Sequence, residues 1–358
     1  MLDLFPSKLA QGPQFCNRQR EKTLLHDNIQ QARHTVLVAP RRYGKSSLVF
    51  KVVEEAALPF ASIDLFLAYD DSTVTKRILS GIGNGISQIM SIDQKVLAKL
   101  QRIFINFRVS LTAGGFSIDA ATETHALDPV DQVLSALKGL SELAKQQKKK
   151  IVVFIDEFQD IRESANAKAI QGAIRHIAQE THHIVFIFSG SNRRLLLELF
   201  DDKTQPLYML CDMIQLDRMT SVSYLSHLQS LSKRKWGKEL PIIVFEKIMP
   251  DRDAVFTAWQ ACFILHEDRL IAELQKLSTK QREILKTLAV HPSTEPTGQS
   301  FVMASKTPAS TINQTIRVLL NADMIYKVKK QDPHVSQLQV NQVRVLDPLL
   351  SFALKKYQ

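Results

Sequence analysis

Ala39-Pro-Arg-Arg-Tyr-Gly-Lys-Ser46 and Ile151-Val-Val-Phe-Ile-Asp-Glu157 are the two stretches that decide how this chain folds. The first grows out of a short apolar run, Thr35-Val-Leu-Val-Ala39, and leads into a segment of helical character from Ser46 to Ala57. A strand that ends in a flexible loop and passes at once into a helix presents unpaired backbone amides, which suit phosphate oxygens. The second stretch sets five apolar residues in front of two carboxylates. That pattern reads as a strand buried on both faces. It delivers Asp156 and Glu157 at its C-terminal end, where open α/β sheets bind their ligands.

Working outward, the helix after Ser46 stops before Pro59, and Phe60-Ala-Ser-Ile-Asp-Leu-Phe66 reads as a second strand. Strand, loop, helix and strand make the βαβ pattern of a largely parallel sheet. Ile78, Ile82, Ile86 and Ile89 recur at three or four residues and predict helix over roughly Thr73 to Phe107. Gly114-Gly-Phe-Ser breaks it with a surface excursion, read as a hairpin, before a helix over Pro129 to Lys145. Lys148-Lys-Lys150 is read as a solvated helix end rather than a ligand site. A helix over Ala165 to Gln179 then leads to a strand over His183 to Phe188 and the polar turn Ser189-Gly-Ser-Asn192.

The expected architecture is α/β: a P-loop NTPase core with a mostly parallel sheet over 1–217, then a helical lid or linker over 218–277. A C-terminal winged-helix domain is expected over 278–358. There, helices at Lys280 to Val290 and Pro308 to Asn321 flank a linker rich in Pro, Ser, Thr and Gly. Met324 to Val328 and Gln342 to Val345 resemble two short strands. No internal repeat is visible.

In the cradle, Ala39, Pro40, Arg41, Arg42, Tyr43, Gly44, Lys45, Ser46 and Ser47 are the candidate nucleotide-binding residues. Gly44 permits close backbone approach, Lys45 reaches the β- and γ-phosphates, and the Ser46 hydroxyl ligates magnesium. Arg41 and Arg42 either add charge or pair with acidic neighbours, and Tyr43 packs or shields. Asp156 holds Mg2+ directly or through water, and Glu157 is the general base that orients the attacking water. Lys45 and Glu157 are thus the catalytic pair, and Ser46 and Asp156 the metal pair. Ser189, Ser191 or Asn192 senses the γ-phosphate or simply ends a strand. Ala39 stands where the full motif has glycine, at a backbone cost if that position needs positive φ and at none if it needs only smallness.

With 45% hydrophobic and 23% charged residues the chain builds ordinary cores rather than disorder. Its longest apolar runs are too short to span a bilayer. The opening Met-Leu-Asp-Leu-Phe-Pro lacks the basic-then-apolar order of a secretory signal. Cys16, Cys211 and Cys262 are too scattered for a disulfide framework or a zinc cluster, so a cytoplasmic setting is expected. The net charge of +10 is uneven. Residues 271–358 hold twelve Lys or Arg against six Asp or Glu, a net +6. That balance favours an anionic partner.

At these residues the chain resembles the archaeal-type ATPase family, a P-loop branch related to AAA+ and STAND proteins. The likeness runs through Phe15-Cys-Asn-Arg-Gln-Arg-Glu21, Pro40-Arg-Arg-Tyr-Gly-Lys-Ser-Ser-Leu48, Phe154-Ile-Asp-Glu-Phe-Gln159, Phe188-Ser-Gly-Ser191 and Val345-Leu-Asp-Pro-Leu-Leu350. It covers essentially the whole chain. It implies ATP with magnesium, an ATPase core, a helical lid and a winged helix, and a place for Arg18 or Arg20 near the nucleotide. Asn17 stands where the opening motif commonly has glycine. Tyr208-Met-Leu210 stands where the family often has Tyr-Gly-Arg, so an arginine able to neutralise developing charge is missing. No Gly-x-Pro sensor occurs in Asp251 to Phe263. Slow, switch-like hydrolysis by a monomer or modest oligomer is the expectation.

In the tail, Pro308 suits the first turn of a helix whose inward face is Ile312, Ile316 and Leu319. Lys306, Thr307, Ser310, Asn313, Gln314 and Arg317 are its polar choices. With Lys327, Lys329 and Lys330 as phosphate contacts, the partner is double-stranded DNA. The other reading is a protein partner on the same fold. Two functions compete: an ATPase whose hydrolysis moves the lid and tail, and a non-hydrolysing ATP/ADP-dependent switch acting on a protein.

Overall fold

The apolar runs of the sequence become parallel strands. The computed structural model describes residues 10, 12–40, 43–90, 94–112, 115–120, 127–217, 219, 221–237, 264, 267, 270–328 and 340–356. By internal contacts the chain divides into a unit over Phe5–Leu216 and a second whose main segment is Asp217–Gln358.

In the first unit, in chain order, lie α1 (Gln19–Gln30), β1 (Thr35–Val38), α2 (Lys45–Glu55), β2 (Phe60–Asp64), α3 (Asp71–Ile89) and α4 (Gln94–Ile103). Then come β3 (Phe107–Thr112), β4 (Gly115–Ala120), α5 (Pro129–Gln146), β5 (Ile151–Asp156), α6 (Ala167–Glu180), β6 (Ile184–Gly190), α7 (Arg193–Asp201) and β7 (Asp212–Gln215). Five strands form one sheet in the order β2-β5-β6-β1-β7, and every pair is parallel. The architecture is the α/β one expected.

Because successive strand side chains point to opposite faces, each strand feeds two apolar layers. Ile151, Val153 and Ile155 join Val36 and Val38 in a core with α3, α5 and α6. Val152 and Phe154 join Leu37, Val185 and Ile187 in a second core with α1 and α2. Helices therefore cover both faces, as an all-parallel sheet requires.

The helix predicted over Thr73 to Phe107 is in fact two helices, and Phe107 already belongs to the hairpin β3–β4. The hairpin buries Phe107, Val109, Phe116 and Ile118. It lies so close to α3 that a Cβ on Gly83 would stand 2.6 Å from the Phe116 carbonyl. On the sheet side, a Cβ on Gly81 would meet Ile63 at 2.3 Å. Small residues on both faces thus let α3 sit between sheet and hairpin.

Lys150 and Lys149 are structural. The Lys150 ammonium donates to the Ile29 and Gln30 carbonyls at 2.8 Å each, and Lys149 approaches the Ile89 carbonyl at 3.5 Å. These are the C-terminal ends of α1 and α3, where a cation opposes the helix dipole.

The second unit contains α8 (Ser221–Trp236), α9 (Thr279–Val290), α10 (Gln299–Ser305), α11 (Ala309–Asn321), β8 (Ile325–Lys327), β9 (Val343–Val345) and α12 (Pro348–Lys356). A capping box between Ser278 and Gln281 starts α9. Ile284, Leu288, Phe301, Ile312, Leu319, Ile325 and Val343 share one core. β8 and β9 pair antiparallel, and Ser293 bridges to Val343. Three helices followed by a two-stranded antiparallel ribbon therefore pack on themselves. No helix among the described residues is long and apolar enough to cross a membrane. Arg41, Arg42, Cys262, Lys329, Lys330 and most of the segment expected as a lid, including Asp251 to Phe263, lie outside the described residues.

Candidate active site

Among the described residues, Lys45, Ser46, Asp156, Glu157 and Ser189 gather at the C-terminal edge of the sheet. β1 and β6 are hydrogen-bonded neighbours, with Val38 opposite Gly190, and β5 lies on the far side of β6. The loops after β1, β5 and β6 therefore leave the sheet side by side.

The loop after β1 begins with Ala39, fully buried and not among the residues of positive φ. The position demands smallness rather than left-handed backbone, so alanine costs nothing there. Left-handed backbone falls instead on Gly44, at φ 81°, the residue that caps α2. A Cβ there would meet nothing within 4 Å, so the requirement is purely conformational. Lys45 is buried, and its ammonium donates to the loop's own Ala39 and Pro40 carbonyls at 3.0 and 3.3 Å. Tyr43 packs against the second core. The Ser47 hydroxyl accepts the Ala10 N–H at 3.1 Å, tying the segment before α1 to the start of α2.

The opening motif also reaches the cradle. Asn17 and Arg18 both have positive φ, 47° and 66°. Asparagine is the side chain that best tolerates this conformation after glycine, so its substitution for the family's glycine is accommodated. Arg18 is buried and donates to the Tyr43 carbonyl at 3.0 Å, while Arg20 is exposed.

The acidic pair is the centre of the arrangement. The Ser46 hydroxyl donates to Asp156 Oδ2 at 2.6 Å, and the Ser189 hydroxyl donates to Asp156 Oδ1. Glu157 is left-handed, at φ 49°, which costs a non-glycine residue about 1–2 kcal/mol. Its Oε2 accepts three hydrogen bonds: from Gln159 Nε2 at 2.6 Å, the Ser191 N–H at 2.9 Å and the Ser191 hydroxyl at 2.8 Å. Burial pushes the Glu157 carboxyl up. The bonds from Gln159 and Ser191, with the Lys45 charge, outweigh it and hold the group below the usual carboxylate range.

Ser189 and Ser191 thus divide the acids between them, and Asn192 is used otherwise, its side chain accepting the Leu195 N–H as the cap of α7. Asp160 accepts from the Leu67 N–H and from the same Gln159 amide nitrogen that donates to Glu157. The sequence reading includes Gln159 in the motif Phe154 to Gln159 but assigns it no role, because one residue three places beyond a strand carries no periodic signal. Only the packing of its amide over Gly190 reveals its role: a Cβ on Gly190 would lie 1.9 Å from Gln159 Oε1.

The donor set fits a nucleotide with a hard cation. Ser46 and Asp156 offer oxygen only, and Mg2+ takes one or two protein oxygens, with phosphates and water supplying the rest. The Lys45 ammonium already sits among oxygen acceptors, which suits it to phosphate oxygens. Among the described residues no group of three or more His, Cys, Asp or Glu could hold a metal.

No family model matches the chain, and no curated protein matches it. Solved structures do. It is similar to the Walker-type ATPase Paby2304 of Pyrococcus abyssi, with TM-score 0.68 and 17% identity over 98% of this chain and 99% of that one. The fold is that of the P-loop NTPases. The ORC2 protein of Aeropyrum pernix, solved as ADPNP-ADP complexes, is similar at TM-score 0.54 and 12% identity over 99% and 96% of the two chains. Here Lys45 opens the helix that follows the loop after β1, and Asp156 and Ser189 lie at the C-terminal ends of β5 and β6.

The loop before β7 departs from the resemblance noted above. Met209 has the positive φ of 54° and is 78% exposed, at the place where the family often has glycine. Leu210, at the arginine's place, is packed against the core. Arg175 holds this loop by donating to the Pro206 and Tyr208 carbonyls at 2.7 and 2.9 Å.

Proposed function

We propose that the protein is a magnesium-dependent ATPase of slow turnover, whose nucleotide state controls binding of a partner by its C-terminal unit. The reading rests on the convergence of Lys45, Ser46, Asp156 and Glu157 at one edge of a P-loop sheet. Lys45 and the amides after Gly44 would bind the phosphates, with Ser46 and Asp156 holding Mg2+. Bound there, the metal neutralises phosphate charge. Ser189 would keep Asp156 oriented, and Glu157 would take the proton of the attacking water on Oε1, the oxygen its three donors leave free. Arg41 and Arg42 add charge to the same loop. Membership of the archaeal-type ATPase family is part of this proposal.

Slow turnover follows from two features. The Glu157 carboxylate is held by donors that lower its basicity, and Leu210 offers no charge to a neighbouring copy. The competing reading, a switch that binds ATP or ADP without hydrolysis, is favoured by those same features.

For the C-terminal unit we propose a winged helix over 278–358 that binds double-stranded DNA. The face of α11 turned to solvent carries Ser310, Asn313, Gln314 and Arg317, and the helix contains no acidic residue. Thr307 is not part of this face. It is buried, and its hydroxyl donates to the Ser305 carbonyl. Ile312, Ile316 and Leu319 face inward as the sequence requires.

The test is phosphate release by the purified protein with ATP and Mg2+, alongside Glu157→Gln, with and without duplex DNA. Loss of a general base lowers turnover by about 10²–10⁴-fold. Glu157-dependent release that rises with DNA supports the proposal. ATP binding with no release above the variant in either condition overturns the ATPase reading and leaves the switch.

A further inference from the structure

We propose that Asp160 is a positioning residue for this site: it fixes the Gln159 amide and, through that amide, the direction of the Glu157 carboxylate. The inference rests on the ATPase reading above, in which Glu157 takes the proton of the attacking water. The decisive atom is Gln159 Nε2. It donates to Glu157 Oε2 at 2.6 Å and to Asp160 Oδ1 at 3.0 Å. A carboxamide nitrogen carries two hydrogens, so each carboxylate takes one and the nitrogen is saturated.

Three observations carry the assignment. First, the amide's own oxygen does not choose its orientation. Gln159 is buried, and its Oε1 has no hydrogen-bond partner. A buried acceptor left unpaired costs stability, so the side chain is held by the two acids on its nitrogen. A flipped amide would turn its oxygen towards both carboxylates and lose both bonds, whereas with Glu157 alone it would lose only one. Second, Asp160 is itself fixed, by the loop after β2. Its Oδ2 accepts the Leu67 N–H at 3.1 Å, and Leu67 is left-handed, at φ 60°. A leucine keeps that conformation only where its surroundings over-determine it. Asp160 also lies in the 3-10 helix Phe158–Glu163, and its N–H donates to the Glu157 carbonyl at 3.0 Å. Third, Glu157 has two anchoring side chains. Ser191 supplies two of the three bonds on Oε2 and Gln159 the other. A carboxylate anchored by one residue can pivot about it, and the second anchor sets where Oε1 points.

The experiment measures steady-state ATP turnover with Mg2+ by the full chain, as the parent, Asp160→Asn, Gln159→Leu and the double variant. Asparagine replaces one of the two acceptor oxygens by an NH2 group, so it cannot receive both Leu67 and Gln159. Each single variant is expected to lower kcat by about tenfold, with KM for ATP within about threefold, because the hydrogen bonds involved hold the base and not the nucleotide. The double variant falls no further than Gln159→Leu alone, since Asp160 acts through Gln159. Should Asp160→Asn fail to fold, Asp160→Ser, which removes the charge and keeps one acceptor, carries the same expectation. Additive losses, to about 100-fold in the double variant, overturn the assignment and leave Asp160 a merely structural role. An unchanged kcat, or a rise in KM that accounts for the loss, overturns it as well, while the ATPase reading stands. A parent protein with no turnover above Glu157→Gln overturns the proposed function, and this inference with it.

Discussion

Two loops leave the same edge of one sheet, and both pass through left-handed backbone, yet they are built by opposite rules. After β1 the conformation falls on Gly44, which adopts it without strain and has open space where a Cβ would be. After β5 it falls on Glu157, which is strained and closely held. At Gly44 the first loop needs only a left-handed turn, so a residue without a side chain serves best. The second needs its carboxylate at a fixed point, and the strain persists because three donors on Oε2 over-determine the geometry. Strain at one residue and its absence at the other mark which loop works by backbone and which by side chain.

The contrast can be broken most sharply at Gly190, which supports the strained loop from beneath. Gly190→Ala forces Gln159 aside, since the new Cβ would sit 1.9 Å from its Oε1. We expect about 1–3 kcal/mol loss of stability by chemical denaturation, with turnover reduced because Glu157 loses one of its three donors. Unchanged turnover would mean that Gln159 does not hold Glu157. Gly44→Ala comes next. With no steric clash, the expected cost is the conformational 1–2 kcal/mol, read as roughly tenfold weaker nucleotide binding.

A finer comparison sets Glu157→Gly against Glu157→Ala. Both remove the carboxylate, so their difference isolates the backbone. Ordinarily alanine is the more stable of such a pair, but here the glycine variant is expected to win by about 1 kcal/mol. An alanine variant of equal or greater stability would show that Glu157 is not left-handed in solution.

The smallest effect lies at the opposite end of the sheet, where His34 is buried beneath the strands. Its Nδ1 accepts the Phe186 N–H at 3.1 Å, so in the neutral ring Nε2 carries the proton and donates to the Ala178 carbonyl at 3.1 Å. Burial lowers its pKa below the ordinary 6.5, the Ala178 bond opposes this, and the nearby His182 adds to it. The unfolded chain therefore binds the proton first. The stability from neutral His34 is fully present above about pH 6.5 and is lost as pH falls towards the folded-state value. Unfolding midpoints across that range should fall less steeply for His34→Gln than for the parent. Parallel slopes would remove His34 from the pH response.

Much of the fold was legible because its signals are local. Ile151 to Ile155 reads as a buried strand, and the apolar run Thr35 to Ala39 before Gly44-Lys45-Ser46 reads as another. β7, Asp-Met-Ile-Gln, was harder to see, for Ile214 is its one buried residue and no apolar run marks an edge strand. α10 spans 7 residues, too few to show a period. In the same way Thr307 looked like a surface residue until α10 and α11 closed around it.

The sequence by itself determined the parallel sheet, the glycine-lysine loop after β1, the acidic pair and the basic tail, because strand burial and loop chemistry are written in adjacent residues. Tertiary structure alone decided that Ser189 serves Asp156 and that Ser191 and Gln159 share Glu157. Those relations depend on β6 lying between β1 and β5, a long-range pairing that no local pattern encodes.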